Sequence, residues 1–125
     1  MEHPGEQRRH WHIPLVTIRR DGSLALSPAA FELLRPAEFV VLAYEPATHI
    51  LTIMPTSADT RRSLSLVRDG TSGLIRARRF WRRSGIAEAE FYGRHLLVEA
   101  ERVEGEDAGD VTRLMVHLML STTQT

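Results

Sequence analysis

The sequence predicts a mainly β protein of the α+β class, made of two copies of a unit that runs β-hairpin, short helix, β-hairpin. Three observations carry this. An apolar, β-rich run precedes an Asp-Gly pair twice, Val16-Thr17-Ile18 before Asp21-Gly22 and Leu64-Ser65-Leu66-Val67 before Asp69-Gly70, at an offset of 48 residues. A short helical stretch follows each pair, with Phe31 and Phe80 standing 49 residues apart. Ile50-Leu51-Thr52-Ile53 then finds its counterpart in Leu96-Leu97-Val98-Glu99.

Residues 1–12 are polar, rich in His and Arg, and read as a flexible arm. The first unit spans 13–56. Leu15-Val16-Thr17-Ile18 and Leu24-Ala25-Leu26 flank Asp21-Gly22, a two-residue hairpin turn signal. Ser27 offers an N-cap oxygen and Pro28 suits the first helical position. Pro36 stops the helix, because the residue before a proline is pushed out of helical geometry. Phe39 to Tyr44 and His49 to Met54 pair around the turn Glu45-Pro46-Ala47-Thr48, and Pro55 to Thr60 is a polar linker.

The second unit spans 57–125. Gly70-Thr71-Ser72-Gly73 forms its first hairpin turn, and its helix runs from Arg76 to Ser84, closed by Gly85. Arg94 to Val103 and Arg113 to Leu120 are long strands joined by an acidic turn over 104–110. Leu114, Val116, Leu118 and Leu120 alternate, while Met115 and Met119 make the other face apolar too. That pattern suggests a strand buried on both faces or covered by a second subunit. Periodicity alone leaves a helix over 111–120 open.

Composition narrows the function classes. All 16 basic residues are arginine, matched by 16 acids, with no cysteine, which removes disulfides, thiol catalysis and thiolate metal sites. An all-arginine basic set fits a GC-rich bacterial genome. No apolar run approaches the roughly 18 residues that span a bilayer, and the opening residues lack the apolar stretch of a secretory signal. A cytoplasmic protein without a membrane partner is expected. The chain holds no nucleophile elbow, phosphate-binding glycine loop or HExxH, so neither an enzyme nor a cofactor is expected. His10 and His12, with His3 nearby, lack a spaced acid or thiol, and no metal site is expected. His49 and His95 stand at matching places in the two units and read as strand residues, and His117 reads as a pH-sensitive buried group.

Zero net charge conceals a dipole along the chain. Residues 60–83 hold eight arginines against Asp69, and residues 84–110 hold eight acids against Arg94 and Arg102.

The stretch from Val16 through Arg19-Arg20-Asp21-Gly22-Ser23 to Ser27-Pro28 resembles the opening of the AbrB/MazE/SpoVT swapped-hairpin superfamily. The likeness covers 14–54 and, faintly, 64–100. The stretch Ala77 to Ile86, with its Phe-bearing helix, is also similar to small uncharacterised bacterial proteins of no assigned activity. The superfamily implies an interleaved β-barrel whose hairpins form a DNA-contacting surface, in transcription regulators and antitoxins. Two units in one chain imply an intramolecular pseudo-dimer. The sequence departs from the family at Ser23, where a basic residue is frequent, and at Leu34-Arg35-Pro36-Ala37-Glu38, which replaces Leu-x-x-Gly-Asp.

On this likeness Arg19, Arg20 and Arg68, beside the two hairpin turns, are candidate contacts to double-stranded DNA, because guanidinium forks suit phosphate and guanine edges. Solvated strand-end charges paired with Asp21 and Asp69 are the alternative. Arg76, Arg78, Arg79, Arg82 and Arg83 fan around a helix whose Ala77, Phe80, Trp81 and Ser84 share the core-facing spacing. Of these, Arg76, Arg79 and Arg83 join the DNA-binding set. The same fan could instead meet the acidic 88–110 segment of its own or a neighbouring subunit, and neutral net charge favours that reading. Two functions therefore compete: a small DNA-binding transcription regulator or antitoxin-like protein, and a non-catalytic interaction module that keeps the fold without DNA. Homo-oligomers, homodimers first, and a protein partner suit either.

Overall fold

The computed structural model of the chain describes residues 13–57, 61–104 and 110–120. The arm expected over 1–12 lies outside the described residues, as do 105–109 of the acidic turn. The element order is β1 (Leu15–Ile18), β2 (Leu24–Leu26), α1 (Pro28–Leu34), β3 (Phe39–Glu45), β4 (Ile50–Thr56), β5 (Leu64–Asp69), β6 (Ser72–Ile75) and α2 (Arg78–Ser84). A 3-10 turn (Glu88–Phe91), β7 (Gly93–Glu104) and β8 (Asp110–His117) complete it.

Period-two alternation builds a closed barrel. Val16 and Ile18, Leu24 and Leu26, Val40 and Leu42, Leu51 and Ile53, Leu64 and Leu66, Leu114 and Val116 are all buried, and the residues between them face outward. The strands follow one another as β1-β2-β6-β5-β3-β4-β8-β7, with β7 closing antiparallel on β1. The β1–β2 hairpin is therefore flanked by β6 and β7 from the second half of the chain, and β5–β6 by β2 and β3 from the first. Exchanging β1–β4 for β5–β8 leaves every neighbour pair in this ring unchanged. The β2–β6 ladder pairs Leu24 with Ile75, Ala25 with Leu74 and Leu26 with Gly73, which is symmetric about Ala25 and Leu74.

Ser27 caps α1 as its sequence position predicts. Its hydroxyl oxygen accepts the Ala30 N–H at 3.3 Å and the Leu15 N–H at 2.9 Å, tying the helix start to β1. α1 buries Ala30, Phe31 and Leu34. α2 starts at Arg78, two residues later than expected, because β6 runs on to Ile75 against β5 and β2. It buries Phe80 and Trp81 beside Ala77. Ser84, expected to face the core, is exposed at the helix end, where Gly85 takes a left-handed φ of 69°. Gly85 N–H then bonds Arg82 O and Ile86 N–H bonds Trp81 O, the paired closure of a Schellman cap.

Several boundaries differ from expectation for physical reasons. Between the Arg19 N–H···O Ser23 bond lie Arg20, Asp21 and Gly22, with Gly22 at φ 89°, a three-residue loop rather than a two-residue turn. The second hairpin does turn in two residues, Gly70-Thr71, with Gly70 at φ 68°, while Ser72 and Gly73 already pair with Asp69 and Arg68. Pro55 and Thr56 belong to β4 instead of a linker, since inward alternation continues through buried Pro55 opposite Val40. The segment 110–117 is a strand: β4 and β7 on either side satisfy its backbone, which resolves the helix alternative. Met119 and Leu120 lie beyond its end and are exposed.

Candidate nucleic-acid interface

The β1–β2 loop and α2 meet at one corner of the barrel. Trp81 Nε1 donates to the Gly22 carbonyl at 2.7 Å across 59 residues of sequence, and Trp81 is 1% exposed. Gly22 also lies against Arg78. From the other side the Tyr92 hydroxyl donates to Arg20 O at 3.1 Å, and the Arg20 guanidinium sits 5.5 Å from the Tyr92 ring centroid. The loop is thus held by two aromatic side chains from the second half of the chain.

Within the loop, Asp21 Oδ1 accepts the Ser23 N–H at 2.9 Å and the Ser23 hydroxyl at 2.6 Å. These two bonds, with Arg19 and Arg78 nearby, hold the Asp21 carboxyl below its ordinary range. Ser23 is buried and spent structurally on this turn.

Seven arginines ring the corner: Arg19, Arg20, Arg76, Arg78, Arg79, Arg82 and Arg83, all exposed. Among the described residues none of them lies within ion-pair distance of a carboxylate. On α2, Arg78 with Arg82 and Arg79 with Arg83 stand four apart, so each pair shares a strip of the face opposite Phe80 and Trp81. The fold joins two clusters that sequence reading kept separate, the hairpin arginines and the helix arginines. Arg78 and Arg82 are as much part of the patch as Arg76, Arg79 and Arg83. Tyr92 and the Trp81–Gly22 bond carry no signal in the sequence, because the chain distance hides both.

Arg68 stands elsewhere. The β2–β6 ladder sends the β1–β2 loop out beside Ile75 and α2, and sends the β5–β6 turn out beside Leu26 and α1. Arg68 lies at that second corner, 5.4 Å from the centroid of the Phe31 ring, with Nη1 donating to Gly70 O at 3.3 Å. The expected trio is divided between the two ends of the ladder.

The favoured docking of the arginine fan on the acidic 88–110 segment of the same chain does not form among the described residues. Two of the acids there lie against other groups: Glu101 pairs across the strands with Arg113, and Glu90 lies near Tyr44, whose hydroxyl burial and that charge push up.

The histidines also differ from expectation. His49 sits in the β3–β4 turn at φ 61°, outside any strand, so it does not match His95 on β7. The buried imidazole is His95, 3% exposed, and His117 is exposed because it points to the outer face of β8. His95 Nδ1 accepts the Met119 N–H at 3.1 Å, which leaves the proton on Nε2 to donate to Phe91 O at 2.7 Å. Burial lowers its pKa, and the charge of His117 adds to that. Among the described residues no group of three or more His, Cys, Asp or Glu side chains is placed to hold a metal ion.

A cleft of about 920 Å³ lies between the α1–β3 connection, the end of β4 and the β7–β8 arm, lined by Phe39, Val41 and Met54 as well as Arg102 and Glu104. No described helix is long and apolar enough to cross a membrane. No family model, curated protein or solved structure matches this chain.

Proposed function

We propose that the chain is an intramolecular pair of AbrB-like units with exchanged hairpins, and that it acts as a small DNA-binding transcription regulator or antitoxin-like protein. The neighbour ring that survives exchange of the two chain halves supports the swapped-hairpin part of this reading. The functional part rests on one observation: seven exposed arginines, without carboxylate partners among the described residues, gathered on one corner where a loop and a helix are locked together. Duplex DNA carries one negative charge per ~1.7 Å of axis, and a preorganised guanidinium cluster gains affinity by releasing its counterions. The departure at Ser23 fits this picture, since that side chain builds the turn while α2 supplies the positive charge.

The test is a titration of the purified protein into labelled random-sequence and upstream-region duplexes, read by fluorescence anisotropy over a range of salt. Binding that weakens steeply with salt, with a preference for the upstream duplex, is expected. Absence of binding at the lowest salt rejects the reading.

A second reading, an interaction module that binds protein, is favoured by the exposed apolar residues Leu96 (64%), Val98, Met119 and Leu120 on and beside β7 and β8. Under it, the chain runs as a stable oligomer in gel filtration and retains no duplex even at low salt; a monomer at low and at high salt rejects it.

A further inference from the structure

A barrel whose strand order is unchanged by exchanging its halves invites the expectation of two equivalent DNA-contacting corners per chain. The two corners are chemically unlike. The β1–β2 loop and α2 carry six arginines, with Arg76 just before the helix a seventh, against one acid, Asp21. The β5–β6 turn with α1 carries Arg68 and Arg35 against Asp69 and Glu32. Both of its cations are already engaged: Arg35 pairs with Glu32 at 3.1 Å, and Arg68 lies over Phe31 and bonds Gly70 O. A polyanion approaching the second corner meets no net positive field and displaces existing contacts. At the first it meets guanidinium groups that have no carboxylate partner among the described residues, on a held backbone, and only Arg20 of them lies over a ring, that of Tyr92.

We propose that each chain presents one duplex-binding corner, formed by the β1–β2 loop and α2, and reads a single unsymmetric site rather than using both halves of the barrel on a palindrome. This rests on the reading that the chain binds duplex DNA. It assigns Arg78 and Arg82 direct phosphate contacts and gives Arg68 none. Each phosphate neutralised contributes close to 0.9 to the slope of log affinity against log salt, so losing two contacts lowers the slope by roughly 2.

Two double variants of the full chain separate the possibilities, each first checked for wild-type unfolding behaviour by circular dichroism. Arg78→Ala with Arg82→Ala is expected to weaken duplex binding at least tenfold at low salt and to flatten the salt slope by about 2. Arg35→Ala with Arg68→Ala is expected to leave affinity within about twofold and the slope unchanged. Equal losses from both pairs would overturn the single-corner assignment while leaving DNA binding in place. Failure of the wild-type chain to bind any duplex would remove both the assignment and the function beneath it.

Discussion

The corner built by the β1–β2 loop and α2 and the corner built by the β5–β6 turn and α1 occupy corresponding places in the strand ring. Each sets an aromatic ring from a helix against a glycine: Trp81 on Gly22 and Phe31 on Gly73. They then diverge. The first anchor is a hydrogen bond between an indole and a loop carbonyl, and the second is close packing of a ring on a strand backbone. The first corner is strongly basic, whereas the second balances its charges. Ladder hydrogen bonds and inward alternation constrain only the barrel wall, so the surface chemistry of the two corners is free to part company.

The sharpest way to break the first corner is Trp81→Ala. It removes one of the largest fully buried side chains and leaves the Gly22 carbonyl without its donor, so we expect a loss of about 3–5 kcal/mol in urea unfolding. Trp81→Phe keeps most of the packing and isolates the bond, with an expected cost of about 1–3 kcal/mol.

The second corner breaks differently. A Cβ on Gly73 would stand 2.3 Å from Phe31 Cδ1, so Gly73→Ala must push the ring aside. An overpacking cost of about 1–3 kcal/mol is expected, partly recovered by adding Phe31→Leu. A null effect of Gly73→Ala would show that α1 is free to shift, and would blunt the contrast with Trp81.

These two anchors also show how much was legible in the sequence. Strand positions followed from period-two alternation, and α1 from Ser27-Pro28, because those signals are local. The Phe80 and Trp81 burial was legible from helical spacing. What placed the arginines was not, since the bond from Trp81 to Gly22 spans 59 residues and Arg20 meets Tyr92 across 72. Loop length is not legible for a related reason. Asp-Gly signals a turn, but whether it closes in two residues or three depends on where pairing resumes, at Ser23 in one hairpin and Ser72 in the other. Likewise, equal spacing suggested that His49 and His95 correspond, although one lies in a turn and the other is buried on a strand.

His95 adds a pH dependence away from both corners. Protonation would put a proton on Nδ1, where the Met119 N–H already points, in a site flanked by His117, with the His49 and Phe91 rings set edge to face beyond it. Its folded pKa lies below the ordinary 6.5, so the unfolded chain binds the proton more readily. Stability is therefore full above about pH 6.5 and falls as pH drops below it. Urea midpoints measured from pH 8 to 5 should show that decline, and His95→Asn should reduce it. If Trp81→Ala and Gly73→Ala each shift the whole curve without changing its shape, the histidine acts independently of the two corners.

The smallest expected effect compares the two cation–π contacts directly. Arg20 lies over the half-buried Tyr92 ring and Arg68 over the buried Phe31 ring, at nearly equal distances. Double-mutant cycles, Arg20→Ala with Tyr92→Leu and Arg68→Ala with Phe31→Leu, should each give couplings of about 0.5–1 kcal/mol, because both guanidinium groups remain exposed. Repeating the Arg20 cycle with saturating duplex is the informative step. A guanidinium drawn toward phosphate has less of its charge left for the ring, so the Arg20–Tyr92 coupling should shrink on binding. The Arg68–Phe31 coupling should stay constant if, as proposed, the second corner makes no contact with the duplex. A change at Arg68 equal to that at Arg20 would mean that both ends of the β2–β6 ladder meet DNA, and the difference between the corners would then be one of degree.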